Sequence, residues 1–263
     1  MDVLGQSLKN CKSQSIPSKY GSAFALAIDT QGKNVYLTGR RGSQGLFIGC
    51  KIKSDGSLKS CKTTSPTSNG PYWNSVSDMS AEKEYVFALN AGSSVKKQGW
   101  LDICQVSDLK VSQCTYDNLY GKLGIATGIY INRDTIYIGH TMEDRGYVLH
   151  CVIDWAGTPS LKNCKNEEVP GVLAIGGVAA SGSSVYVSDR YGDTLSVCDL
   201  HMNCSSNNAG KGNTNNLKMP GSIIPVSKGG NIEIIVTNTG VADSISMCSA
   251  SPATCSVASP RRK

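Results

Sequence analysis

The sequence predicts an all-β fold: a five-bladed β-propeller of four-stranded antiparallel blades, closed by the N-terminal strand. Three observations predict it. Ten of the 11 cysteines fall into close pairs, Cys50/Cys61, Cys104/Cys114, Cys151/Cys164, Cys198/Cys204 and Cys248/Cys255, whose first members recur after 54, 47, 47 and 50 residues. Five β-branched or aromatic runs recur on the same beat. Gly, Ser, Asn and Thr are plentiful and apolar runs are short, which favours many brief strands joined by turns over long amphipathic helices. A period of 45–50 residues holding four strands is the mark of a propeller blade.

The elements follow in order within each unit. A first, weaker strand of small residues opens it: 23–28, 75–79, 126–131, 175–180 and 222–226. Small residues suit the crowding near a propeller axis. The second strand reads Val35-Tyr36-Leu37-Thr38-Gly39, Val86-Phe87-Ala88-Leu89-Asn90, Ile136-Tyr137-Ile138-Gly139-His140, Val185-Tyr186-Val187-Ser188-Asp189 and Ile234-Ile235-Val236-Thr237-Asn238. Each is a run of strand formers ending in a small or polar residue. A turn follows, such as Arg190-Tyr191-Gly192-Asp193, and then a third strand that carries the first cysteine, as in Gly146-Tyr147-Val148-Leu149-His150-Cys151. A tight turn and a short fourth strand carry the second cysteine. The chain is one domain, with a closing strand at 7–13 and blades at about 20–65, 70–116, 123–166, 171–206 and 218–258.

Residues equidistant from a hairpin turn face each other. Cys50 and Cys61 are equidistant from the Asp55–Gly56 bond, a dipeptide favoured in tight turns. Cys151/Cys164 centre between Gly157 and Thr158, Cys104/Cys114 on Leu109, Cys198/Cys204 on His201 and Cys248/Cys255 between Ser251 and Pro252. Such facing pairs reach disulfide distance. Each closed loop stabilises its blade by about 2–3 kcal/mol on the chain-entropy estimate. Disulfides point to an oxidising compartment. Zinc is the competing use of close cysteines, but it needs pairs that converge, and these lie on separate blades. The sequon Asn203-Cys204-Ser205 has a cysteine at its centre.

Ser7-Leu8-Lys9-Asn10-Cys11 repeats the outer-strand pattern of Ser57-Leu58-Lys59-Ser60-Cys61 and Ser160-Leu161-Lys162-Asn163-Cys164. It is expected to pair with the last blade and close the ring, which removes a bare strand edge. Cys11 and Cys255 then compete for Cys248, and the sequence leaves that pairing open. It also leaves open whether the chain is part of a longer propeller. Residues 1–20 carry no apolar signal-peptide core. Either export does not use that route or the native start lies upstream.

Composition excludes several partners. The formal charge is +6, and the basic residues are dispersed apart from Arg40-Arg41, Lys96-Lys97 and Arg261-Arg262-Lys263. A nucleic-acid binder would carry a denser basic stripe interleaved with aromatics. No apolar run approaches the roughly 20 residues of a membrane helix. A monomer without membrane insertion is expected.

The unit of apolar strand, Gly-rich turn, strand ending in Cys, Asp-Gly turn and Leu-Lys-x-Cys resembles repeats of cysteine-rich bacterial β-propellers related to the YncE-like and lactonase-like families. Val185-Tyr186-Val187-Ser188-Asp189 and Thr194-Leu195-Ser196-Val197-Cys198 carry that resemblance, which covers almost the whole chain. The families usually have seven blades, and this chain has five units. The resemblance therefore implies the fold and only weakly the activity.

A site is expected on the face where second strands end and first strands begin. The second-strand ends supply Gly39, Asn90, His140, Asp189 and Asn238. Together the polar ones suit a polar ligand or a cation, calcium in the axial channel being the ion considered; no cofactor is otherwise called for. The plainer role for Asn and Asp is to start a turn by binding their own backbone. Loops entering the first strands carry Tyr20, Tyr72, Trp73 and Tyr120, whose rings beside amides suit glycan or peptide recognition or, equally, packing between blades. Trp100 and Tyr147 occupy matching third-strand positions and are assigned to the interface between blades. Trp155 is expected to be exposed in a hairpin turn. No Gly-x-Ser-x-Gly elbow, His-Glu-x-x-His or phosphate loop occurs. Glu143, Glu167 and Glu168 fall in predicted loops and form no pair for glycoside hydrolysis.

The reading is a secreted or periplasmic, lectin-like binding module that presents one propeller face to a glycan, peptide or protein. No catalytic residue is assigned. The alternative is a metal-assisted lactonase or esterase centred on Asn90, His140, Asp189 and Asn238. A pure scaffold is the third possibility.

Overall fold

The computed structural model describes residues 22–41, 44–66, 73, 76–91, 99–117, 119, 122–207, 217, 219–228, 231–238, 244–249 and 255–258. They form five successive four-stranded antiparallel sheets, each a simple meander, and these are the blades of a five-bladed β-propeller. The first holds β1 (Ser22–Ile28), β2 (Asn34–Arg41), β3 (Gln44–Ile52) and β4 (Leu58–Thr64). The second holds β5 (Val76–Glu82), β6 (Tyr85–Asn90), β7 (Trp100–Ser107) and β8 (Lys110–Asp117). The third holds β9 (Ile125–Asn132), β10 (Thr135–Met142), β11 (Arg145–Asp154) and β12 (Ser160–Glu168). The fourth holds β13 (Ile175–Ser181), β14 (Ser184–Asp189), β15 (Thr194–Asp199) and β16 (Cys204–Asn207), and the fifth β17 (Pro220–Lys228), β18 (Asn231–Asn238), β19 (Ser244–Ser249) and β20 (Cys255–Ala258). The expected closing strand at 7–13 lies outside the described residues. So does Cys11. No helix among the described residues is long and apolar enough to cross a membrane.

The chain divides into two compact units. One contains Ser13–Ile136 with Cys151–Cys164, the other Tyr137–His150 with Lys165–Lys263. In the first unit a cluster of Ala25, Ala27, Tyr36, Phe47, Trp73, Val76, Met79, Ala81, Val86, Ala88 and Cys104 fills the space between the first two sheets. Tyr36 stacks on Phe47 at 5.6 Å, and Phe47 meets Trp73 edge-on at 6.2 Å. Ala25, Ala27 and Ala81 come from the first strands. Their small side chains let β1 and β5 lie close, as the crowding argument requires. Gly49 serves the same purpose further out: a Cβ there would press into the backbone carbonyl of Leu109, in the outer hairpin of the next sheet. In the second unit Gly176 likewise runs against the carbonyl of Pro220.

The outer hairpins carry the disulfides. Cys50–Cys61, Cys104–Cys114, Cys151–Cys164 and Cys198–Cys204 are bonded, with Cα atoms 3.9–4.1 Å apart. Register explains two of them directly, since Cys104 faces Cys114 and Cys198 faces Cys204. The first is reached through a bulge. Gly49 pairs with Lys62 and Lys51 with Lys59, so Cys50 faces both Ser60 and Cys61. Ser60 takes a positive φ of 51° to make room, and Asn163, the residue before Cys164, does the same at 53°. Cys248 is disulfide-bonded and sits opposite Cys255 in the ladder, but the side chain of its partner lies outside the described residues.

Two side-chain expectations need correction. Trp155 is half-buried, not an exposed turn residue. Its ring packs on Tyr85 and Phe87, Lys83 Nζ sits 3.9 Å from its centre, and its Nε1–H donates to Asp134 at 2.8 Å. A large indole in a hairpin turn finds apolar surface on the neighbouring sheet rather than water. Glu167 and Glu168 belong to strand β12, and Glu168 pairs with Arg145 at 3.2 Å; only Glu143 lies in a turn.

Replacing both Cys104 and Cys114 by Ala should lower unfolding stability by about 2–3 kcal/mol, read from equilibrium denaturation of the oxidised protein. Gly49→Ala should cost about 1–3 kcal/mol by overpacking, since the atom in its way is backbone and cannot rotate aside.

Candidate functional site

Asn90, Asp189 and Asn238 end their second strands, whereas Gly39 and His140 lie two residues before the ends of β2 and β10; the four polar side chains are buried. Asn90 is buried and donates Nδ2–H to Asp102 at 3.1 Å. Asn90 faces Trp100 in the ladder, so Asp102 lies two residues along on the same face of β7. Asn238 repeats the arrangement. It faces Ser244 and donates to Ser246 at 2.8 Å, again two residues along the third strand. His140 is buried, stacks on Tyr147 at 5.5 Å, and shares a 2.8 Å hydrogen bond with Asn166. Burial holds its pKa below the ordinary histidine value, with the Asn166 bond acting the other way. Gly39 faces Leu46 across β2 and β3.

Asp189 does something different. Its carboxylate accepts backbone N–H bonds from Leu173 at 3.1 Å, Ala174 at 3.2 Å and Tyr191 at 3.1 Å. It thereby ties the loop entering β13 to the turn leaving β14. Arg190 N–H adds a 2.7 Å bond to the Ala174 carbonyl. Asp193 extends the same tether, accepting the Met219 N–H at 2.7 Å from the segment that enters β17.

These tethers fix an exposed surface. Tyr191 is 69% exposed, Leu173 52% and Met219 37%. Large apolar side chains standing in water on loops held by carboxylates are what a contact surface needs, because their conformation is set before a partner arrives. The sequence places Tyr191 only in a turn. The available signal was that an aromatic residue within an Arg-Tyr-Gly-Asp turn has no core to enter.

The other expected site residues separate. Trp73 is 5% exposed and packs in the core of the first unit. Tyr20, Tyr72 and Tyr120 lie outside the described residues. Trp100 is buried, and Tyr147 lies half-buried against His140 of its own sheet. Among the described residues, no group of three or more His, Cys, Asp or Glu is placed to hold a metal ion. The side chains of Asn90, His140, Asp189 and Asn238 are buried, and each is hydrogen-bonded to neighbours in its own part of the fold.

One buried pair carries an electrostatic strain. Asp102 is fully buried, and desolvation pushes its pKa up to about 6 against the opposing side-chain hydrogen bonds of Asn90 and Trp100. Asn90 Oδ1 has no hydrogen-bond partner among the described residues.

Comparison with known proteins rests on structure. No family model and no curated protein matches the sequence. A chain of the nidogen/laminin complex matches with a TM-score of 0.64 at 13% identity, over 92% of this chain and 81% of that one. The periplasmic gluconolactonase of Pseudomonas aeruginosa matches at 0.60 and 12% identity, over 91% of this chain and 74% of that one. Virginiamycin B lyase from Staphylococcus aureus, solved with quinupristin, matches at 0.56 and 9% identity, over 96% and 89%. Likenesses at these identities show the fold. The same frame thus serves a protein complex and enzymes alike.

Asp102→Asn should stabilise the protein in a pH-dependent way. The folded-state pKa of Asp102 lies above its unfolded value of 3.8, so ionisation weakens the fold as pH rises from about 4 through about 6. The variant's advantage over wild type should be near zero at pH 4 and reach on the order of 2–3 kcal/mol at pH 7. His140 contributes equally to both proteins and cancels. Urea denaturation at the two pH values reads the difference, and an advantage that does not grow with pH would contradict the assignment.

Proposed function

We propose that this chain is a secreted or periplasmic binding module that presents the loop end of its blades to a glycan, peptide or protein partner. The carrying observation is the exposed set Leu173, Tyr191 and Met219 on loops pinned by Asp189 and Asp193. Disulfides in the outer hairpins support the compartment, since such bonds form and persist where the surroundings are oxidising. The fold shared with a chain of the nidogen/laminin complex supports a contact role, as that protein belongs to an assembly.

Aromatic and aliphatic side chains on a preset backbone bind with little ordering cost, and tyrosine adds a hydroxyl at the end of a flat ring. In this reading the loops themselves carry the recognition. The polar strand ends act as supports within their own blades: Asp189 holds the loops, and Asn90 and Asn238 brace the third strands.

Glycan and peptide arrays probed with the oxidised protein test the reading. Binding should survive chelation of divalent ions and fall at least about tenfold for Tyr191→Ala with Leu173→Ser. The melting temperature should barely move, because both side chains project into solvent. Trp73→Ala, by contrast, should act on stability. Chelator-sensitive hydrolysis of esters or lactones, with no array signal, would replace the module by the enzyme reading.

A further inference from the structure

We propose a second site, for a neutral saccharide, on the flat face of the second blade. It is independent of the loop-end surface. The ladder puts Tyr85, Gln105 and Gln113 in one cross-strand row, and Phe87, Ile103 and Thr115 in the next row on the same face. The β11–β12 turn lies against this face, with Trp155 packed on Tyr85 and Phe87. The result is a shallow cleft lined by Tyr85, Ile103, Gln105, Gln113, Thr115 and Thr158.

The turn that walls this cleft is held on several sides. Trp155 Nε1–H donates to Asp134 at 2.8 Å, Lys83 lies over the indole, and the Ala156 N–H donates to Asp154 at 3.0 Å. Asp154 is also ion-paired with Lys162. The strand side is a regular three-stranded ladder. Both walls are therefore preset, which lowers the cost of binding.

The lining selects the ligand class. It contains one phenol, two carboxamides and two threonine hydroxyls, and no charged group. The Thr115 hydroxyl donates to the Ile103 carbonyl at 3.3 Å, which leaves its oxygen to accept. Each carboxamide offers donors and acceptors side by side. Adjacent donors and acceptors beside the half-buried ring of Tyr85 match the vicinal hydroxyls and C–H patch of a sugar ring. A carboxylate or phosphate ligand would want a free cation, whereas Lys83 is engaged on the Trp155 ring. An extended peptide is bound through backbone pairing at a strand edge; here the groups stand on the face of strands whose ladders are already formed. The cleft is shallow, so it takes the edge of one ring, and millimolar affinity is expected.

The test uses the intact, oxidised protein labelled with 15N. The side-chain amide resonances of Gln105 and Gln113 are followed during titration with glucose, galactose, mannose, N-acetylglucosamine and cellobiose, and with trialanine as the peptide control. At least one sugar should shift both resonances saturably. Its affinity should drop at least about tenfold in Thr158→Val and in Gln105→Ala, each checked for an unchanged backbone spectrum. Tyr191→Ala should leave the response intact, which separates this site from the loop end. No shift with any sugar, a shift with trialanine alone, or a response unchanged in both cleft variants would overturn the proposal.

Discussion

The covalent clamp across the outer hairpin is the constraint on which the rest of each of the first four blades depends. The fourth strand of a blade is its edge and has a partner on one side only. In this protein those strands are also polar: β12 is half-exposed or exposed along its whole length. Hydrophobic burial therefore holds them weakly. A disulfide to the buried third strand replaces the missing burial by restricting the unfolded chain. It also fixes the register of the hairpin, including the bulge at Ser60, where Cys50 must meet two residues of the opposite strand.

With the outer edge secured, the inner strands are free to be plain. Ala25, Ala27 and Ala81 bring neighbouring blades together while contributing little side-chain area. The burden of the core falls on Tyr36, Phe47, Trp73 and the β-branched second strands. This division explains a chain that is only 6% aromatic yet places its large rings deep. It also explains the polar second-strand ends. A strand that emerges from an apolar layer into a loop needs its last side chain to satisfy nearby groups. Asn90 and Asn238 do so across to the third strand, and Asp189 does so to three backbone amides. Asp102, the third-strand partner of Asn90, is the costly neighbour of this set, a buried carboxyl whose pKa desolvation raises.

The loops and turns carry what is exposed and chemically varied. Tyr191, Leu173 and Met219 stand on the end of the fourth and fifth blades, while Tyr85, Gln105 and Gln113 stand on the face of the second. Neither set repeats from blade to blade. That is the expected result when a repeated frame is kept for stability and single units diverge for contact.

The recurrence of cysteines and of strand formers was enough, by itself, to determine the five units, their four strands and the hairpin disulfides, because those features depend on contacts between residues close in the chain. The candidate site was legible only in part. Asn90, His140, Asp189 and Asn238 were correctly seen as one recurring position, but their surroundings depend on third-strand and loop partners 8 to 26 residues away. Trp73 and Trp155 look alike in sequence, each beside a turn. Only the tertiary structure decided that one fills the core between sheets and the other caps a neighbouring blade. The physical reason is that the fate of an indole is set by which apolar surface lies within reach once the blades are packed, and chain-local pattern holds no record of that surface.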